Sequence, residues 1–289
     1  SLWGDNVVAM TADDKDVWMA VYNKGLTAFN IDSRRFTNYT LPVFSKVGDI
    51  IWTLCDSHDG NLWVGGRDIL VLNKTTRTFT PVKQLTGCGV QSMSCRGKVM
   101  WLGCSKGVYK IDKATHRILK HYDTSTRGMS LPNNSVRYLY ADSKGRVWVS
   151  FRYDDICCID EHEGKVHTYD MQQGLGSSTV TGIVESRYGY MMFSTTNGMY
   201  FFFPNNDTFM RCDLDNNIPL SYNYGACHTN GQNLFFGSTE GLVWAADLPM
   251  QPNSLFKRVS FNALSVANGR TVNLGGNGCE KLTLDNDEN

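Results

Sequence analysis

Ile50-Ile51-Trp52-Thr53-Leu54-Cys55, then Asp56-Ser57-His58-Asp59-Gly60-Asn61, then Leu62-Trp63-Val64-Gly65 reads as an apolar strand, a polar turn and a second strand running aromatic, apolar, small. The pattern recurs six times along the chain. Its aromatic anchor is Trp18, Trp63, Trp101 and Trp148, with Met192 and Phe235 in the same slot of the last two copies, at successive gaps of 45, 38, 47, 44 and 43 residues. Two positions on, each copy has a small residue: Ala20, Gly65, Gly103, Ser150, Ser194 and Gly237. A third strand opens at Leu26, Ile69, Val108, Ile156, Met199 and Leu242, preceded by Gly25, Asp68, Gly107, Asp155, Gly198 and Gly241. Glycine, with Asp twice, predicts a backbone at or near positive φ before that strand.

A fourth strand follows each copy, as in Arg35-Phe36-Thr37-Asn38-Tyr39 and Lys165-Val166-His167-Thr168-Tyr169. Four strands joined by polar turns in each repeat of this length match the blade of a β-propeller. A helical repeat would need long segments of period 3.6, which the sequence lacks. The fold class is therefore all-β, a propeller of four-stranded antiparallel blades over residues 1–257. Six copies leave two closures open, a six-bladed ring or most of a seven-bladed one. Residues 258–289 fall out of register and read as the start of a β-sandwich domain or a flap, with Asn268-Gly269 turning one short strand back on another. Asp56-Ser57-His58-Asp59-Gly60 superficially looks like a calcium loop, but its third and fifth ligand positions are His58 and Gly60 and no Glu stands at the twelfth.

The chain has 289 residues, 28 Lys+Arg against 28 Asp+Glu, 42% hydrophobic and 12% aromatic residues. Zero net charge argues against a nucleic-acid groove or an acidic lipid surface, since both need an excess of positive charge. No apolar run approaches the ~20 residues that span a bilayer. Nine Cys, an odd number with no C-x-x-C pair, read as mostly free thiols that pack as small hydrophobes. Cys55, Cys95 and Cys227 align by sequence in one first-strand slot with Ala12, Ala141 and Glu185, and Glu185 is read as the one acid of the first strands.

Asp59-Gly60-Asn61-Leu62-Trp63-Val64-Gly65 and Asp142-Ser143-Lys144-Gly145-Arg146-Val147-Trp148-Val149-Ser150 resemble the two-component regulator propeller repeat, which runs roughly D-x-x-G-x-[IL]-W-[IV]-G-T-x-x-G-L. The resemblance covers about residues 5 to 257, and Val259 to Gly269 resembles the opening strand of the small β-sandwich that follows such propellers. It departs where Met192 and Phe235 replace the Trp and where Asp68 and Asp155 replace the Gly. The resemblance implies a non-enzymatic, periplasmic, ligand-sensing ectodomain of a Bacteroidetes hybrid two-component receptor, whose parent carries a histidine kinase and further domains.

Blade topology puts the loop after the second strand and the connection to the next blade at one end. That end carries Arg67, Arg152-Tyr153 and Asn197, with Arg137 close by on a first strand. A first-strand slot read by residue count holds Ala9, Trp52, Ser92, Tyr138, Gly182 and Tyr224. Alternating large and small residues pack a narrow axis. The same aromatics also suit sugar rings, because sugar sites join flat aromatic faces to planar donors. The ligand-binding candidates are accordingly Trp52, Arg67, Arg137, Tyr138, Arg152, Tyr153, Asn197 and Tyr224, with a small-molecule or oligosaccharide ligand. No catalytic residue, metal or cofactor is expected, and a homodimer is left open. His116, His121, His162 and His167 are expected at the opposite end. The alternatives are an interaction or dimerisation scaffold and a metal-dependent lyase or lactonase, which would need several acids converging on the axis.

Overall fold

Polar turns and short apolar strands in each repeat favour antiparallel sheets, and the computed structural model shows how these are arranged. It describes residues 1–41, 50–152, 156–170, 174–175, 179–205, 207–212, 219 and 221–250, together with the backbone of 263–265 and 271–273. The fold is an all-β propeller of six antiparallel blades. Blade 1 is β1 (Val7–Ala12), β2 (Asp16–Val21), β3 (Gly25–Asn30) and β4 (Arg35–Tyr39), paired in that order. Blade 2 is β5 (Ile51–Asp56), β6 (Asn61–Gly66), β7 (Ile69–Asn73) and β8 (Thr78–Pro81); blade 3 is β9 (Val90–Arg96), β10 (Val99–Cys104), β11 (Gly107–Asp112) and β12 (Ile118–Tyr122). Blade 4 is β13 (Val136–Ala141), β14 (Val147–Phe151), β15 (Ile156–Asp160) and β16 (Lys165–Tyr169). Blade 5 is β17 (Val180–Glu185), β18 (Met191–Thr195), β19 (Gly198–Phe203) and β20 (Thr208–Arg211). A 3₁₀ turn, Lys83–Leu85, sits on the connection from blade 2 to blade 3.

The sixth sheet holds β21 (Tyr222–Thr229), β22 (Asn233–Ser238) and β23 (Leu242–Ala246), and then two strands from the segment read as a separate tail. β24 (Ala263–Ser265) pairs with β23, and β25 (Thr271–Asn273) pairs with β24. β24 and β25 thus form the outer strands of this sheet, while Asn268-Gly269 lies outside the described residues. The rest of residues 258–289 lies outside the described residues.

The chain divides into two units. The first comprises Ser1–Ala141, Gly145–Arg152 and Cys158–Val166; the second comprises Asp142–Lys144, Tyr153–Cys157 and His167–Asn289. Within the first, Trp18, Ala20, Leu26 and Ala28 of blade 1 pack on Ile51, Leu54, Leu62, Val64, Leu70 and Leu72 of blade 2. Trp63, Ile69 and Val71 then pack on Val90, Met93, Met100, Leu102 and Ile111 of blade 3. Within the second unit, Met192, Met199, Phe201 and Phe203 of blade 5 meet Tyr222, Leu234, Phe236 and Val243 of blade 6. Strand periodicity explains the division of labour: one side of the second strand faces the next blade and the other faces the preceding one. Burying each such side chain contributes about 1.5–3 kcal/mol.

The small residue two places after the anchor has a steric cause. A Cβ on Gly103 would come 2.4 Å from Cγ1 of Val136 and 2.9 Å from Cδ2 of Leu139, and one on Gly65 would meet Met93 and Val90 at 3.2 Å. The glycine before the third strand is also required, since Gly107 has φ +104° and a Cβ there would lie 2.1 Å from the Tyr122 carbonyl oxygen. Asp68, in the same sequence slot, does not adopt a positive φ.

At the ends with the Asx turns, ion pairs stitch successive blades. Lys74 Nζ of blade 2 bridges Asp13 of blade 1 and, at 2.9 Å, Asp56 of its own blade. Lys110 of blade 3 pairs with Glu161 of blade 4, which also accepts from Tyr122 Oη at 2.5 Å. In the second unit, buried Asp247 accepts from Ser186 Oγ at 2.5 Å and Tyr190 Oη at 3.0 Å, tying blade 6 to blade 5. Partial burial works against ionised Asp13, but hydrogen bonds from Lys74 and the backbone outweigh it and hold its carboxyl below the usual range.

Two outcomes follow. Gly103→Ala should cost about 1–3 kcal/mol in chemical denaturation, and Val136→Ala in that background should recover part of the loss by freeing the space. Because the folded Asp13 pKa is depressed, its contribution is present above the unfolded value near 4 and is lost as pH falls below it. Lys74→Met should therefore destabilise the protein at pH 7, with the gap to the parent closing toward pH 2; an equal gap at both pH values would contradict the bridge.

Candidate functional site

A β-bulge in each first strand decides what the blades display. Ile51 pairs with Gly66 and Thr53 with Gly65, so Trp52 is an extra residue with no opposite number. The same shift leaves Gln91 extra between Val90 and Ser92, and Arg137 between Val136 and Tyr138. Val8 and Thr181 hold the slot in blades 1 and 5. In blade 6 the irregular stretch is longer, from Tyr222 to Cys227, with Gly225 at φ +69°. A bulge returns residues three apart to one side of a strand, which is why Val136 and Leu139 both meet Gly103. It also re-aims the extra side chain, and in blades 2, 3 and 4 that side chain is an indole, an amide and a guanidinium.

These three lie in the first unit on consecutive blades. Arg137 Nη1 donates to Gln91 Oε1 at 2.9 Å. The Trp52 ring, 36% exposed, lies beside Gly89, where a Cβ would come 3.6 Å from its Cζ3. Gly89 N donates to the Arg67 carbonyl at 3.1 Å, and Gly87 N donates to Asp68 Oδ1 at 2.8 Å. The turn after β6 is thereby fastened to the incoming connection, and Ser105 Oγ adds a bond to the Cys88 carbonyl at 3.1 Å. The same end-sharing recurs at Gly107 with Asn134, Thr196 with Thr179 and Thr239 with Ser221. Within the first unit, the Arg67–Asp68 turn and the Gly87–Gly89 connection thus place polar groups beside the part-exposed Trp52.

Of the residues predicted from sequence, Trp52, Arg67, Arg137, Tyr138 and Arg152 belong to the first unit. Arg67 and Arg152 are exposed in loops, and Trp52 and Arg137 occupy equivalent bulges. Asn197 and Tyr224 belong to the second unit: Asn197 is exposed in the β18–β19 turn, its N–H donating to Thr195 Oγ1 at 3.0 Å, and Tyr224, 43% exposed, lies in the irregular part of β21. Tyr153 lies outside the described residues. The aromatic slot read by residue count is corrected by the register. Trp52 is equivalent to Arg137 rather than to Tyr138, because Tyr138 pairs with Ser150 while Trp52 has no partner position. Gln91 was missed. Its signal was the apolar pair Val90 and Met93, three apart in a strand where burial should alternate.

The cysteine slot shifts for the same reason. Cys55 is opposite the anchor Trp63, whereas Cys95 is opposite Met100, one place on. Asp56, not Cys55, shares the slot of Glu185, so Glu185 is not the single acid of the first strands. Both acids are committed locally: Asp56 to Lys74, and Glu185 to the backbone N–H and Oγ of Ser143. Among the described residues no group of three or more His, Cys, Asp or Glu is placed to hold a metal ion. His116 lies at the β11–β12 hairpin, edge-on to Trp63 at 5.3 Å. His121 does not share that end. It stacks on Tyr109 at 4.0 Å, and its Nε2 lies 2.7 Å from the Lys106 carbonyl, at the loop end with Arg67, because β12 runs back from the hairpin.

Residues 130–153 match the family model described as two component regulator propeller. No curated protein sequence matches the chain. Among solved structures, the extracellular domain assigned to a hybrid two-component system of B. thetaiotaomicron superposes with TM-score 0.69 at 18% identity, covering 87% of this chain and 33% of that one. A second such domain from the same organism gives TM-score 0.54 at 20% identity over 92% of this chain and 44% of that one. The chain therefore spans less than half the length of either. A virginiamycin B lyase of Staphylococcus aureus gives TM-score 0.63 at 18% identity, over 86% of both chains. These likenesses establish the shared propeller architecture. With the motif at residues 130–153 seated on β13, β14 and the turn between them, the chain carries the two-component regulator propeller repeat.

Proposed function

We propose that this chain is part of the extracytoplasmic, non-enzymatic sensor of a hybrid two-component receptor, and that it binds a neutral or weakly charged saccharide on the bulge row of blades 2 to 4. The carrying observation is the row itself: an indole 36% exposed at Trp52, followed by an amide and a guanidinium already hydrogen-bonded to each other at 2.9 Å. An apolar ring face beside planar donors and acceptors is the chemistry that recognises a sugar, whose ring presents C–H on its faces and hydroxyls at its edge. Chain neutrality supports a ligand that is not a polyanion. A ligand shifts signalling only by the difference in its affinity for two receptor arrangements, so modest binding here suffices if one arrangement holds the row more tightly. The extracellular assignment of the two B. thetaiotaomicron neighbours supports the compartment.

A second reading, docking to another part of the same receptor, is favoured by β1. Val7 and Met10, counterparts of the buried pairs Ile51/Leu54 and Val90/Met93, are 37% and 66% exposed. In blades 2 and 3 such a pair seats on an aromatic and a small residue of the preceding blade, so the occupant would be another blade-like surface.

Calorimetry with neutral and uronic-acid disaccharides tests the first reading. Binding should appear by millimolar concentration. Trp52→Ala should weaken it about tenfold or more, about 1.4 kcal/mol. Arg137→Lys should weaken it despite keeping the charge, because the planar fork is lost. Absence of binding by the whole panel, or binding indifferent to both changes, would end it. For the second reading, Met10→Asp should leave disaccharide binding by this chain unchanged and lower the Tm of the complete ectodomain; an unchanged Tm there would remove it.

A further inference from the structure

The hydrogen bond between Gln91 and Arg137 also fixes which way the amide points. A primary amide has an acceptor end and a donor end, whereas a guanidinium only donates. Arg137 Nη1 donates to Gln91 at 2.9 Å, so the oxygen Oε1 is the end turned toward Arg137 and the Nε2 end is left for another partner. Among the described residues Nε2 makes no bond. A second lone pair on Oε1 is the one acceptor that the pair retains; the rest of its polar surface is N–H and positive charge. Both side chains are half-buried, so solvent screens that charge less than at an open surface. The Trp52 indole lies beside Gly89, two residues before Gln91, so an aromatic face adjoins the donors. The bulge residues of blades 1 to 4 are Val8, Trp52, Gln91 and Arg137, a row with one cation and no carboxylate. Of the acids at the loop end of these blades, Asp68 accepts from Gly87 N at 2.8 Å, and Asp123 accepts from Ser125 and Thr126. Arg67, Lys106 and Arg152 are exposed at that end.

We propose that the saccharide carries a single carboxylate, as a uronic acid does, and that Gln91 Nε2 and the Arg137 guanidinium receive it while Trp52 stacks on the sugar ring. The inference rests on the saccharide reading above and narrows its ligand. An ionised carboxylate only accepts, so it meets a donor-rich pair without leaving a proton of its own pointed at an N–H. A CH₂OH at the same place also brings a donor, for which the pair offers only the second lone pair of Oε1. Ring hydroxyls beside the carboxylate bond to this pair as acceptors. One carboxylate matches the one guanidinium, and a polyanion would bring further charges to a row with no second cation. Gln91 is thereby a specificity-determining residue, because its fixed amide decides that the ligand must accept.

Calorimetry at low salt with uronic-acid disaccharides of gluco and galacto configuration, each beside its carboxyl-reduced counterpart, tests the proposal. The members of a pair differ only in a carboxylate or a CH₂OH at C6 of one ring. At least one acid should bind about tenfold or more tighter than its reduced partner. Gln91→Glu, which still pairs with Arg137 but presents acceptors and negative charge, should bring that ratio to about one or reverse it. Gln91→Met, which keeps the length and removes the donors, should lower the ratio about threefold or more. A merely structural loss would weaken both sugars alike and leave the ratio unchanged. Equal binding of acid and reduced sugar in every pair, or a ratio indifferent to both substitutions, would overturn the proposal. Equal binding that still needs Trp52 would overturn it and leave the saccharide reading standing, whereas no binding by any member would end both.

Discussion

The seating of a first strand on the preceding blade, as in blades 2, 3 and 4, is the constraint on which the first unit depends. A pair of apolar residues three apart must reach the same neighbour, the small residue two places after an aromatic. In blade 4 the pair is Val136 and Leu139 and the seat is Gly103. A regular strand would send those two side chains to opposite sides. The strand meets the constraint by inserting one residue; in blade 2 the inserted Trp52 is part-exposed, whereas in blade 5 the inserted Thr181 is buried against Ser194. Nesting and side-chain placement are thus one event: the bulge that lets these blades nest is also the position of Trp52, Gln91 and Arg137.

The two ends of the blades use polar residues differently. At the Asx-turn end acids are matched locally, Asp13 and Asp56 to Lys74, Glu161 to Lys110, and Asp247 to Ser186 and Tyr190. Their carboxylates hold neighbouring blades in register. At the other end the backbone shares the fastening with short side chains, as in the bonds from Gly89 N to the Arg67 carbonyl and from Ser105 Oγ to the Cys88 carbonyl.

What was legible in the sequence was whatever a single residue enforces by its own shape. The Trp anchors, the small residue that a Cβ would jam and the glycine before the third strand, as Gly107 at φ +104°, are each read from a single position and repeat at readable intervals. Register was not legible in the same way. An inserted residue leaves composition unchanged, and counting positions from the turn put Trp52 beside Tyr138 and Cys55 beside Cys95, each off by one. The interruption of alternation at Val90 and Met93 carried the missing information, but it looks like noise until the pairing shows both meeting one glycine. The outer strands of blade 6 were hidden by distance, since β24 begins at Ala263 after β23 ends at Ala246, far beyond the tight hairpins of the other blades.

A crystal structure of the complete ectodomain with a bound disaccharide tests the central claim most directly. The account predicts a sugar ring stacked on the Trp52 indole, with hydroxyls bonded to Gln91 and Arg137. A saccharide bound elsewhere, with the Gln91–Arg137 hydrogen bond and the Trp52 environment unchanged, would contradict it.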